Sequence, residues 1–474
     1  MKINMTQNPG NHRVVIIPGT EELSNLGLSD DELTYLKGKL TDTTPLASVH
    51  RNTHMLFVRL AGTTPPDDPT LEKLRNDGHA ICKKTEEEKW NAISVIDFCN
   101  HPEATLALTE GILWGTYRFD KYKTPPKEAP VLLNTILVKS GNIDQAKLEE
   151  LLAIHESVSL ARDLVNEIPA HLTAQQLADE AAQAAQRYGF VCKTLDKQEI
   201  DILGMGGLLA VNRGSVNPPT FSILEWRPEN PINEHPIILV GKGIVYDTGG
   251  INLKTMPGSL DDMKCDMGGA AAVIGAMCAI SRNRLPVQVI GLIPATDNRP
   301  GFNAYVPGDV LTMHNGATVE VMNTDAEGRL ILADALSFAK QYNPQLVIDL
   351  ATLTGSAVMA IGAYGTVCMG TADDDTFTHL EQTGMRVGER LARFPFWEDY
   401  DELLKSEVAD MKNIGGREAG AITAGKFLAR FTDYPWVHLD IAGPAFLNKP
   451  MGYRSTGATG VGVRLLYAFL KSKS

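Results

Sequence analysis

The sequence has 474 residues, enough for two or three domains with large buried cores, which excludes a peptide hormone or a small disulfide-stapled fold. Its 44 Lys and Arg against 57 Asp and Glu leave a formal net charge of -13, a field that repels phosphate backbones and anionic lipid and so disfavours nonspecific nucleic-acid binding. Hydrophobic residues at 43% and charged residues at 21% lie near globular averages, which excludes wholesale disorder. No run approaches the ~18 apolar residues of a membrane span, and the first residues lack a signal-peptide core. Six scattered cysteines without a C-x-x-C pair point to a reducing, cytoplasmic setting rather than to a disulfide framework or zinc knuckle.

In chain order, HRVVIIPG (from His12), MLFVRL (from Met55), AISVIDFC (from Ala92) and PVLLNTILV (from Pro130) predict strands. DDELTYLKGKL and LEKLRNDGHAICKKTEEEKW predict helices between them, an α/β pattern. From Asn142, NIDQAKLEELLAIHESVSLARDLVNEI keeps helical spacing until Pro169, long enough to join two domains. We therefore expect an N-terminal α/β domain over 1–160 ending in a connecting helix, and a larger domain over 161–474.

The second part holds four apolar runs that each end at Gly or a polar cluster: PIILVGKG (from Pro236), PVQVIGLIPATD (from Pro286), QLVIDLATLTG (from Gln345) and WVHLDIAGPA (from Trp436). DMGGAAAVIGAMCAIS and GRLILADALSFAKQY read as helices between some of them, so a central, mostly parallel sheet flanked by helices is expected. Ligands in such sheets lie beyond the carboxyl ends of the strands.

Polar residues just past those ends are the candidates. The stretch after the first run supplies Lys242, Asp247, Lys254, Asp261, Asp262, Lys264 and Asp266. Further on, Asp325, Glu327 and Arg329 occupy alternate positions, which on an extended segment would aim all three to one side. Taken singly, acidic loop residues are usually solvated or cap helices, and Asp261, Asp262, Asp349 and Asp440 keep that reading. If the two segments meet, however, Asp247, Asp266, Asp325 and Glu327 share one pocket and need cations. Divalent ions suit such oxygen donors, and a bridging carboxylate would hold two of them about 3.5–4 Å apart.

The segments VGKGIVYDTGGINLK, MKCDMGGAAAV, NTDAEGRLILADAL, DLATLTG and GATGVGVR resemble the leucyl aminopeptidase (cytosol aminopeptidase) family of dinuclear metallopeptidases, over roughly residues 160 to 470. The resemblance implies a hydrolase, a metalloprotease that releases N-terminal amino acids, broadly but with leucine-like residues preferred, by attack of a metal-bridging hydroxide. It implies Lys242, Asp247, Asp266, Asp325 and Glu327 as ligands of two divalent ions (zinc, manganese, magnesium or cobalt), with Asp247 and Glu327 bridging and Lys242 neutral. Lys254 would stabilise the oxyanion, and Arg329 would hold a bicarbonate general base, cradled by backbone groups of Gly328 and Leu353. Met263, Asn323, Thr352 and Gly355 match substrate-side positions, alongside Lys254. Peptides with a free N-terminus, a cytoplasmic location and a hexamer are also implied.

Twelve positions separate Lys254 from Asp266, one more than the family spacing, so the TMPGSL loop is expected to carry an insertion turned at Pro257-Gly258. Cys265 is expected to be structural. GAITAGKF (from Gly420) mimics a P-loop but has Phe427 where Ser or Thr is needed, and neither H-E-x-x-H nor G-x-S-x-G occurs. The rival readings are a DNA-binding regulator on the same scaffold and a dinuclear metal phosphoesterase.

Overall fold

In a computed structural model, which describes residues 1–51, 54–126 and 130–473, the chain divides within a single long helix, Gln145–Asn166. One unit is Met1–Glu156 with Pro450–Arg454; the other is Ser157–Lys449 with Ser455–Ser474.

The first unit is built on a six-stranded sheet in the order Lys2–Met5, Thr135–Lys139, Ala92–Asp97, Arg13–Ile17, His54–Leu60, Leu46–Arg51. All neighbours are parallel except the last pair. Alternate side chains of Arg13–Ile17 feed separate cores, Val14 and Ile16 on one face and Val15 and Ile17 on the other, as a strand buried on both sides requires. The expected elements are present, although the strand predicted from Pro130 begins only at Thr135. Helix Pro102–Thr116 was not foreseen, because a segment buried nearly all round shows no amphipathic period.

In the second unit all four predicted runs form strands. Trp436–Asp440, Leu346–Ala351, Ile237–Gly241 and Val289–Asn298 lie side by side and parallel in the middle of a nine-stranded sheet. The strands flanking this block, Thr366–Gly370 and Thr220–Trp226, are antiparallel to it. The fold is thus α/β with a mostly parallel centre. Helices Gly268–Arg282 and Glu327–Ala339 are buried along almost their whole length. The first presses on the sheet so closely that a Cβ on Gly269 would sit 2.0 Å from the Leu350 carbonyl oxygen, so only glycine fits there. Since the four central strands run the same way, their carboxyl ends deliver Lys242, Thr352, Asp440 and Asn298 to one edge of the sheet.

Candidate metal centre

Lys242 directly follows the Ile237–Gly241 strand and is 2% exposed. Its Nζ lies 2.7 Å from Asp266 Oδ1 and 3.0 Å from Glu327 Oε1, and it donates to the Thr352 carbonyl at 2.9 Å. Asp266 follows a short 3-10 turn, Met263–Cys265, and accepts a further bond from Thr352 Oγ1 (2.7 Å). Asp247 closes strand Gly243–Asp247, in register with Asn298, whose Nδ2 donates to Asp247 Oδ1 at 2.8 Å. Lys254 Nζ pairs with Asp247 (2.8 Å) and with Asp325. Glu327 is the first residue of helix Glu327–Ala339, where the helix dipole favours a carboxylate. One oxygen each of Asp247, Asp325 and Glu327 lie within 4.8 Å of one another.

Two lysine ammoniums therefore face four carboxylates, leaving an excess of negative charge in a mostly buried space. Burial, then Asp247 and Glu327, raise Asp325 to about 7. Burial also holds Asp266 well above the usual carboxylate range, against the pull of Lys242. In both lysines burial acts to lower the pKa but is outweighed by the carboxylates, so Lys242 and Lys254 sit above the ordinary lysine value. Asp266 Oδ2 is buried with no hydrogen-bond partner. Hard oxygen donors, excess negative charge and an orphaned carboxylate oxygen together fit divalent cations.

The segment carrying Asp325, Glu327 and Arg329 is not extended, so alternation does not aim the three to one side. Asp325 sits in a turn and the helix begins at Glu327, so the two residues from Glu327 to Arg329 rotate the side chain by roughly 200°. Arg329 instead donates from Nη1 to the Asn413 carbonyl (2.9 Å), and its Nε is buried without a partner. Burial lowers its pKa to about 10, which leaves it charged at neutral pH.

Other predicted positions fall around this cluster. Asn323 Oδ1 accepts the Asp325 N–H (2.8 Å), and Met263 is half-buried in the turn before Asp266. The Leu353 N–H is given to Asp440 (3.2 Å), and Gly355 opens helix Gly355–Ile361 beside open space. A Cβ on Gly328 would meet Lys242 Cε at 2.3 Å and Nζ at 2.6 Å. Gly328→Ala is accordingly expected to displace the lysine, destabilise the fold by about 1–3 kcal/mol and weaken metal uptake; a melting curve and metal titration indistinguishable from those of the parent would contradict this.

Asp349 and Asp440 are buried and pair with neighbouring side chains rather than facing solvent. Asp349 accepts from Trp436 Nε1 and His438 Nδ1, both at 2.7 Å, and Asp440 accepts from Thr354 Oγ1 (2.7 Å). The P-loop mimic is a helix, Gly420–Ala429, whose Lys426 is buried against Asp401 (3.1 Å), so it cradles no phosphate. Burial, then Asp266, pushes the Cys265 thiol up to about 12. The loop after Lys254 turns at Gly258, which has φ of 79°.

Residues not singled out in the sequence also build the site. Asn298 Nδ2 donates to both Asp247 and the Thr324 carbonyl (3.0 Å), Tyr305 donates to that same carbonyl (2.8 Å), and Asn413 bonds Met322, Asn323 and Arg329. The signal for Asn298 was its place at a strand's carboxyl end, one residue beyond the predicted run.

A central parallel sheet with a carboxylate–lysine cluster at its carboxyl edge is the arrangement of an α/β enzyme with a site suited to divalent cations. The catalytic-domain profile of the cytosol aminopeptidase family matches residues 159–467. Probable cytosol aminopeptidases from Chlorobium phaeobacteroides and Geobacter sulfurreducens are 50% and 46% identical, covering 76% and 78% of this chain and 74% and 75% of their own. Among solved structures, the bottromycin maturation enzyme BotP in complex with Mn has a TM-score of 0.85 at 30% identity, covering 98% of this chain and 100% of its own. A tomato leucine aminopeptidase mutant has a TM-score of 0.86 at 28% identity, covering 100% and 96%. The chain belongs to the cytosol aminopeptidase family and is a peptidase of the aminopeptidase type. Among the described residues, no helix is long and apolar enough to cross a membrane.

Proposed function

We propose that this aminopeptidase is metal-dependent, with Lys242, Asp247, Asp266, Asp325 and Glu327 holding two divalent ions. The observation that carries this reading is the convergence of Asp247, Asp325 and Glu327 oxygens within 4.8 Å, next to the buried Lys242–Asp266 pair. When bound, the ions supply Lewis acidity to the scissile carbonyl, acidify water and accept the substrate's free α-amine. Zinc, manganese, magnesium and cobalt all suit this donor set, and the manganese in the BotP complex favours that ion.

The chain's own residues do the rest. As a ligand Lys242 would have to be neutral, at a cost of about 4.6 kcal/mol from an ordinary lysine at pH 7 and more where carboxylates surround it. Lys254, held by Asp247 and Asp325 and 18% exposed at its side chain, stays protonated and meets the developing oxyanion. Arg329, tethered by Asn413, has a buried Nε without a partner and would hold a bicarbonate that supplies a general base, with backbone groups of Gly328 and Leu353 as the further cradle this reading assigns. Met263, Asn323, Thr352 and Gly355 border the residue to be released. An apolar pocket discriminates by only about 1–3 kcal/mol per methylene, which fits a broad, leucine-leaning preference on cytoplasmic peptides. Assembly as a hexamer belongs to the same reading.

Turnover of leucinamide is expected to vanish with a chelator and return with manganese or zinc, while N-acetyl-leucinamide stays unreacted because its amine is blocked. Equal rates on the two substrates, or indifference to the chelator, would sink the reading.

A further inference from the structure

Beyond the cluster, a groove runs between helix Gly355–Ile361 and the segment that enters helix Gly420–Ala429. It is an open groove with a volume of about 700 Å³, within the ~300–1,000 Å³ range of small-molecule sites. Met359, Phe394 and Ile422 are its large apolar lining residues, with Met359 87% exposed at the rim and Ile422 buried. Arg417 lines it and forms no ion pair among the described residues.

Both walls start at the catalytic cluster. One continues from Thr352, bonded to Asp266, through Thr354 to Gly355. The other continues from Asn413, whose carbonyl holds Arg329, to Arg417 four residues on. This segment turns at Gly416, which has φ of 102°, so Arg417 lies less than the ~14 Å of four extended residues from Asn413.

We propose that this groove receives the part of the peptide downstream of the cleaved bond, and that Arg417 binds the C-terminal carboxylate of short peptides. The apolar lining takes the intervening side chain, and the planar guanidinium matches a carboxylate with two parallel hydrogen bonds. The enzyme is thereby biased toward free short peptides over amides and long chains. This rests on the aminopeptidase reading above.

The test compares Leu-Gly, Leu-Gly-Gly and Leu-Gly-Gly-Gly, each as the free acid and as the C-terminal amide. The ratio of kcat/KM for acid over amide is expected to reach roughly 5 to 10 at one of these lengths, the size of a partly exposed charge-assisted contact. The gain is expected in KM. In Arg417→Gln the ratio falls to about 1, in Arg417→Glu it inverts, and Arg417→Lys retains part of it. A ratio near 1 at every length in the parent protein, or one unchanged in Arg417→Glu, overturns the proposal. Failure to hydrolyse leucinamide at all would instead overturn the underlying reading, so the two failures are separable.

Discussion

Glu327→Gln is expected to lower kcat/KM on leucinamide by on the order of 10³, because the loss of several kcal/mol of metal-borne stabilisation corresponds to about that factor. The amide keeps the shape of the carboxylate but not its charge. Glu327 stands at the first position of its helix, 3.0 Å from Lys242 and within the same 4.8 Å set as Asp247 and Asp325, so no neighbour can replace it. Metal analysis is expected to find fewer than two ions per chain. Added manganese, which stabilises a binding protein by about 2.7 kcal/mol at a hundred times its Kd, is expected to raise the melting temperature of the parent by more than that of the variant. A variant that kept both ions and the parental rate would show that Glu327 is not a ligand.

The second large effect separates chemistry from metal binding. Lys254→Met is expected to cut kcat by about 10² to 10³, the range for removing one oxyanion donor. Lys254 Nζ lies 2.8 Å from Asp247 and also pairs with Asp325, so its removal makes the cluster more negative and is expected to hold or raise metal affinity. Loss of rate with metal retained is the signature of an oxyanion role. Loss of both together would assign Lys254 to scaffolding.

Much of the fold was legible because it is written in local patterns. A strand buried on both faces needs a continuous β-branched run, and four such runs ending in glycine or polar residues marked the parallel centre and the edge where ligands collect. Helix Pro102–Thr116 was hidden by the same physics, since complete burial erases the periodicity that reveals a helix. The charged members of the site stood out because carboxylates and lysines so close in sequence are costly without a purpose. Its neutral members did not. Asn413 reaches Arg329 across 84 residues, through the short parallel pairing of Val319–Glu320 with Met411–Lys412, and no local pattern announces such a bond. The geometry of Asp325, Glu327 and Arg329 was misread because alternation looks the same whether the chain stays extended or starts a helix at the middle residue.

The contact between Gly328 and Lys242 has a consequence for metal binding. A lysine free in solution loses about 1.5–2 kcal/mol of rotamer freedom when it is fixed. Here the tail is clamped against the first turn of a helix, with Cε 2.3 Å from where a Cβ on Gly328 would be, so that freedom is surrendered when the protein folds. In the proposed role as a metal ligand, Lys242 would therefore need little further ordering of its side chain.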